Sequence, residues 1–272
     1  MGFFQTSGIL NRRGFFGGAS APAYDSDAQA YITAVENADN QSLETGVKDA
    51  INTFVLGCKT DGIWTNLSNA CILCGARTLD GILKPLVGAT PTNNNFVSGD
   101  YNRKTGLIGN GTTKYLSTGI LGRDLLQNDT HLSAFVKEAP TAFGFPIGAG
   151  NDSRNAFINQ GSGSTSFNLF GIGSTQTLTG YDVNFLGASK ASSSSITIRR
   201  ASATSTITGT SVTPIGDGTV LVFARRTAGG GGGPSNYHNG RIAFYSLGKS
   251  LDLALLDSRV DTLISSIASA IP

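Results

Sequence analysis

Apolar positions along the chain change their period twice. Between residues 25 and 56 they recur every three or four positions, with Ala28, Tyr31, Ile32 and Val35 in one stripe and Leu43, Val47, Ile51, Phe54 and Val55 in a second. This spacing predicts two amphipathic helices, one from Asp25 or Ser26 to about Ala38 and one from about Ser42 to Leu56. Ser26 with Gln29 reads as a capping box and Gly57 as a stop. Two such helices in succession form a helical hairpin that cannot bury both apolar faces by itself. Residues 58–99 are mixed, with an apolar strand at Ala70 to Leu73, a brief helix near Leu79 to Leu86 and a turn at Asn93, Asn94 and Asn95.

From Tyr101 onward short apolar runs alternate with Gly- or Asn-bearing turns. The runs are Leu107 to Ile108, Lys114 to Ser117, His131 to Lys137, Ala142 to Ile147, Ala156 to Asn159, Ser166 to Gly171, Ser194 to Arg200, Val220 to Arg226 and Gly240 to Leu247. Such spacing predicts a sandwich or jelly roll rather than a parallel sheet with helices between strands. The helical period returns after Gly248, behind a Ser250 cap, where Leu253, Leu256, Val260, Leu263, Ile267 and Ala270 are spaced 3, 4, 3, 4, 3. That seam suits a coil between copies of the chain. Leu255, Ile264 and Ile271 widen the stripe, which suits a helix lying on a sheet. Both packings stay open, and the first predicts a homo-oligomer, a trimer.

Composition narrows the class. Of 272 residues, 36 are Gly, 28 Ser and 28 Thr, a bias toward turns and short strands. A net charge of +2 with 14% charged residues gives no basic field for nucleic acid. No run approaches the roughly 18 apolar residues of a membrane span, so a soluble chain without membrane insertion is expected. Residues 1–24 contain two Gly-Phe-Phe triplets, Phe3-Phe4 and Phe15-Phe16, around Arg12 and Arg13, and no acid. A disordered tail is normally poor in aromatics. The segment therefore reads as an extended arm that docks on a partner by burying those rings, and its order of charge and apolar residues is not that of a signal peptide.

Candidate chemistry is sparse. Cys58, Cys71 and Cys74 are odd in number and close together, which argues against a disulfide framework. Cys71 and Cys74 form a C-x-x-C without a nearby His, so buried thiols are expected and neither a metal nor another cofactor. Between Asp100 and Gly248 the acids are Asp100, Asp124, Asp129, Glu138, Asp152, Asp182 and Asp217, and no two lie two or four residues apart on one strand, as paired glycosidase carboxylates would. His131 begins a strand and His238 sits in a turn, so both read as structural or surface imidazoles rather than bases. Asn151, Asp152, Ser153 and Asp182 offer oxygen ligands for calcium but no tight cluster. For a sugar, the candidate loop residues are Asn151, Asp152, Tyr237, His238 and Asn239. Trp64, the one tryptophan, reads as packing between the hairpin and the sheet.

Two stretches carry a family likeness. GNGTTKYLSTG (Gly109 to Gly119) followed by HLSAFVK (His131 to Lys137) resembles the opening strands of concanavalin A-like, laminin-G-like jelly rolls. NGRIAFYSLGKSLDLALLDSRV (Asn239 to Val260) resembles their closing strand and terminal helix. Together with SGDYNRKTGLIGNG (Ser98 to Gly111), these are similar to virion proteins of tailed bacteriophages, including those of cyanobacterial hosts, over about residues 25–272. The resemblance implies a mainly β, concanavalin A-like jelly-roll sandwich at residues 100–248. An N-terminal helical hairpin and connecting region at 25–99 precede it, and a C-terminal helix at 249–272 follows. Such domains bind glycans or serve as structural modules, and fold alone does not choose. The expectation is a non-enzymatic protein of a phage particle, located in the virion after synthesis in the host cytoplasm. Its role would be that of a tail fibre or receptor-facing appendage that meets other virion proteins through its arm and a host surface glycan through its loops. A capsid cement protein and a glycan-cleaving enzyme are the alternatives.

Overall fold

The computed structural model of the chain describes residues 1–2, 23–150, 155–161, 163–177, 181–212, 216, 218–226 and 232–272. Helices α1 (Ser26–Asp39) and α2 (Thr45–Thr60) are followed by strand β1 (Leu67–Ile72), the short helix α3 (Leu79–Ile82) and strands β2 (Thr92–Asn94), β3 (Tyr101–Asn102) and β4 (Gly106–Ile108). Strands β5 (Tyr115–Leu121), β6 (Thr130–Glu138), β7 (Gly144–Gly150), β8 (Asn155–Gly161), β9 (Ser164–Leu169) and β10 (Ile172–Thr177) come next. They are followed by β11 (Asn184–Lys190), β12 (Ser195–Arg200), β13 (Ala203–Thr208), β14 (Thr219–Val222), β15 (Arg225–Arg226), β16 (Pro234–Ser235), β17 (Arg241–Gly248) and a last helix, α4 (Leu253–Ala270).

All strands but β15 and β16, which pair with each other, form two antiparallel sheets, the mainly β sandwich expected of the chain. An eight-stranded sheet runs β13-β12-β11-β6-β17-β4-β3, with β1 also pairing β17, and a seven-stranded sheet runs β10-β9-β8-β7-β14-β5-β2. Leu132, Ala134, Leu186 and Leu247 on the first and Ile147, Ala149, Ile158 and Phe167 on the second belong to one buried core. The segment before residue 100 contributes a strand to each sheet, β1 and β2, so it is built into the sandwich.

The helices lie on the outer face of the eight-stranded sheet. On β11 and β12, Gly187 meets the Leu253 side chain and Arg199 Nε donates to Asp257 Oδ2 at 2.8 Å, which seats α4 there. Helix α2 packs antiparallel to α4, with Gly46 against Ala270 and Gly57 against Arg259, while the Phe54 ring meets Phe244 of β17 edge-on at 5.8 Å. Leu256, Val260, Leu263 and Ile267 are all buried inside the chain. The stripe is therefore a core seam, and the apolar face that suggested a trimer is already covered by α2 and the sheet. Trp64 packs partly buried against the same core at the end of α2, with Lys59 Nζ 5.7 Å above its ring.

Several local signals resolve differently from the sequence reading. Asp25, not Ser26 with Gln29, caps α1, its Oδ1 accepting the Asp27 N–H at 3.0 Å; Gln29 instead donates to Thr33. Gly57 does not stop α2. It is the crossing point with α4, where a Cβ would lie 2.8 Å from Arg259 Cδ, and the chain turns only at Gly62, with φ +72°. Asp252 caps α4 through bonds from Ala254 and Leu255, whereas the Ser250 backbone N–H and Oγ both donate to Asp129 Oδ1. Thr92 to Asn94 is a strand and the turn falls on Asn95, with φ +70°. The run from Val220 to Arg226 breaks into two strands at Phe223, with φ +67°.

Candidate functional site

The arm residues Phe3, Phe4, Arg12, Arg13, Phe15 and Phe16 and the loop residues Asn151 and Asp152 lie outside the described residues. The other three loop candidates separate. His238 is not a loop-tip group: it is fully buried, with Nε2 3.0 Å from Gln160 Oε1 and Nδ1 accepting the Gly240 N–H at 3.2 Å. That second bond assigns the proton to Nε2. Gln160 passes its own amide N–H to the Asp182 carbonyl at 2.6 Å, so the imidazole sits in a closed core network, and burial pushes its pKa down to about 3. Asn239 is a turn clasp, accepting the Thr141 N–H at 2.9 Å and donating to Thr141 Oγ1 at 2.7 Å. Tyr237 stays half-buried at the surface, its ring 6.1 Å from that of Tyr115 and tilted by 55°.

That pair lies on the outer face of the seven-stranded sheet. Residues paired across antiparallel strands share a face, and Thr92 and Leu221 both pair with Ser117 while Asn94 pairs with Tyr115. The alternate residues Leu116, Val222 and Ile147 point into the core. Thr92, Asn94, Tyr115, Ser117 and Leu221 therefore form the floor of one groove, and the β15–β16 hairpin supplies Arg226 and Pro234 as its wall. The groove has a volume of about 220 Å³. Arg226 Nε donates to the Gly232 carbonyl at 2.7 Å, which fixes the guanidinium.

The same face continues past Leu221, which pairs with Gly148 of β7. Phe157 pairs with Gly148, and its ring meets Phe145 edge-on at 5.1 Å; Phe143 meets Phe145 at 5.4 Å. Arg225 Cζ lies 4.5 Å over Phe145 and 5.7 Å over Phe157. Gly148 is required here, because a Cβ would stand 2.9 Å from Phe157 Cβ. Beyond Phe157, Asn168 and the Asn159–Ser166 pair carry the face on as amides and a hydroxyl. Sequence reading passed over Tyr115, Ser117, Thr92, Asn94 and Arg226, although the alternation of Tyr115 and Ser117 with buried Leu116 and Thr118 marks such a face.

One arrangement looks like a base beside a nucleophile. His131 Nδ1 donates to the Lys249 carbonyl at 2.6 Å, leaving Nε2 3.0 Å from Ser246 Oγ, which in turn lies 2.7 Å from Ser133 Oγ. All three side chains are fully buried between the sheet and α4. A nucleophile must reach its substrate, so this is a structural polar network, and burial holds the imidazole neutral with a pKa near 4.

Most described acids of the sandwich are tied to structural partners, whereas Asp124 is exposed and 4.0 Å from its neighbour Arg123. Lys114 pairs with Asp100, Arg200 with Asp182 at 3.1 Å and Arg241 with Glu138 at 2.6 Å. Asp124 and Asp129 do line a second pocket of about 170 Å³ at the end of the sandwich, with Leu125, Leu126 and Leu247. Asp129 is held there as a carboxylate by its bonds from Ser250, the largest cause lowering its pKa, so it is not the raised-pKa acid that glycoside cleavage requires. Cys58, Cys71 and Cys74 are buried thiols, each pushed up to about 12 by burial, and Cys71 Sγ accepts from Tyr245 Oη at 3.4 Å.

No family model matches the chain, and no curated protein matches it in sequence. Solved structures resemble it at low identity. The NanB sialidase of Streptococcus pneumoniae is 17% identical over 56% of this chain and 26% of its own, with a TM-score of 0.43. The botulinum neurotoxin serotype D binding domain is 9% identical over 72% of this chain and 50% of its own, with a TM-score of 0.46. A leech intramolecular trans-sialidase is 12% identical over 65% and 27%, with a TM-score of 0.36. The chain thus spans about a quarter of the length of these sialidases and half of the neurotoxin binding domain.

Proposed function

We propose that the chain is a non-enzymatic structural protein of a tailed phage particle, a receptor-facing appendage whose N-terminal arm joins it to the particle and whose sandwich faces outward. The observation that carries this reading is the inequality of the two sheets. The outer face of one is roofed by α2 and α4 of the same chain. The outer face of the other bears a groove lined by Tyr115 and Arg226, with Tyr237 against the Tyr115 ring, and an aromatic row through Phe157. One side is closed and the other is suited to contact, as a mounted adhesion module needs. The engagement of Asp100, Asp129, Glu138 and Asp182 by structural partners favours contact over cleavage. The resemblance of Ser98 to Gly111 and of Asn239 to Val260 to phage virion proteins supplies the particle context.

Immunogold labelling of purified particles tests the location: label on the tail supports the appendage, and label over the head moves the protein to a capsid cement role. Deleting residues 1–20 is expected to leave a folded protein that no longer joins the particle. Release of reducing sugar from host envelope polysaccharide by the purified protein would overturn the non-enzymatic assignment.

A further inference from the structure

We infer that the groove on the seven-stranded sheet binds a single carboxylate-bearing sugar unit, of the uronic or sialic acid type; this rests on the adhesion reading and names its ligand class. Four features converge there. The Tyr115 ring, braced by Tyr237, offers an apolar plane for the C–H face of a pyranose. Thr92, Ser117 and the Asn94 amide place donors and acceptors along β2 and β5 on the same side of the sheet. Arg226 supplies a planar fork of N–H donors that fits a carboxylate, and its bond to Gly232 holds that fork before any ligand arrives. No Asp or Glu is among the described residues that line the groove.

Size and charge select the ligand class. The groove's volume of about 220 Å³ is below the roughly 300–1,000 Å³ of pockets that enclose drug-sized ligands, so it takes one ring and leaves its neighbours on the open face toward Phe157 and Asn168. A neutral sugar would leave the Arg226 fork without a charged partner. A site so open is weak, with a Kd on the order of 1 mM, and gains from repetition on a particle.

The test is titration of the full-length protein, followed by ligand-observed NMR, with trigalacturonate, N-acetylneuraminic acid and neutral maltotriose. Either acidic probe is expected to bind at least about tenfold more tightly than maltotriose, and the two acidic arms distinguish uronic from sialic specificity. Arg226→Gln is expected to weaken acid binding by about 10- to 100-fold, as loss of a charge-assisted pair does, and Tyr115→Ala to weaken it comparably, both with unchanged melting temperature. If Arg226→Gln fails to fold, Arg226→Lys serves: it keeps the charge, loses the fork and should bind at an intermediate level. Equal binding of neutral and acidic probes, undiminished binding by a folded Arg226 variant, or no binding of either acid at about 10 mM overturns the inference. These measurements use the isolated chain, so absence of the protein from particles would sink the virion reading and leave the sugar result standing.

Discussion

Arg103 grips both carboxylate oxygens of Glu44, at 3.0 and 2.7 Å, across 59 residues of chain. The same guanidinium donates to the carbonyls of Ala76 and Gly75, and Arg77 reaches Glu44 from the other side at 3.0 Å. The start of α2, the loop after β1 and the β3–β4 turn are thereby fastened at one carboxylate. Glu44→Gln keeps the shape and removes the charge that two arginines share. It is expected to destabilise the fold by about 1–3 kcal/mol, read as a lowered urea midpoint with unchanged slope.

Acid should loosen the protein before its carboxylates titrate. His131 and His238 have folded pKa values near 4 and 3, against about 6.5 when unfolded. The unfolded chain therefore binds protons that the native chain refuses, so this stability is fully present above about pH 6.5 and is lost as pH falls toward 4 and 3. For His131 alone the loss is on the order of 3 kcal/mol. Asp25, Glu36, Glu44, Asp61 and Asp129, all with lowered pKa values, add their losses only below about pH 4. Denaturant melts at pH 7.5, 5.5 and 4.5 should show the decline, and His131→Asn with His238→Gln should flatten it.

The seam of α4 is internal, and truncating it should act on folding alone. Leu263→Ala is expected to cost about 2–5 kcal/mol and to leave the assembly state of the intact protein as it was. A change of mass by light scattering at constant helicity would place the seam between copies of the chain instead.

The three cysteines should be silent in the native protein. Cys58, Cys71 and Cys74 are 0–2% exposed and hold their protons, so a thiol reagent at pH 8 should label all three only after denaturant is added. Stoichiometric zinc uptake by the native protein would contradict the reading of Cys71 and Cys74 as packing groups.

The helices and strands β5 and β9 were legible because one face of each meets water and the apolar period survives, whereas β6 and β7, buried almost throughout, showed only as short apolar runs between turns. Strand β11 was not. Phe185 through Lys190 are buried on both faces, and Gly187 gives way to Leu253, which erases the alternation. Strand β13 failed for the opposite reason: Ala203 to Thr208 are mostly exposed, and only pairing with β12 makes them a strand. Tyr-His-Asn at 237–239 reads locally as a surface turn, yet Gln160, 78 residues away, draws His238 into the core. Tyr115 and Ser117 carried a readable alternation, whereas their partners Thr92 and Arg226 reach the groove only through a strand order that no local window contains.

Strand β17 lies between β6 and β1, with β4 on the β1 side, and begins at residue 241. During synthesis the β6 and β1 edges that it joins are exposed from the ribosome long before their common partner exists. At about 5–20 residues per second, β6 waits roughly 5–20 seconds for it. A nascent chain stalled before residue 241 would hold open, apolar strand edges, and truncated products should be insoluble and chaperone-bound while the full-length chain is not.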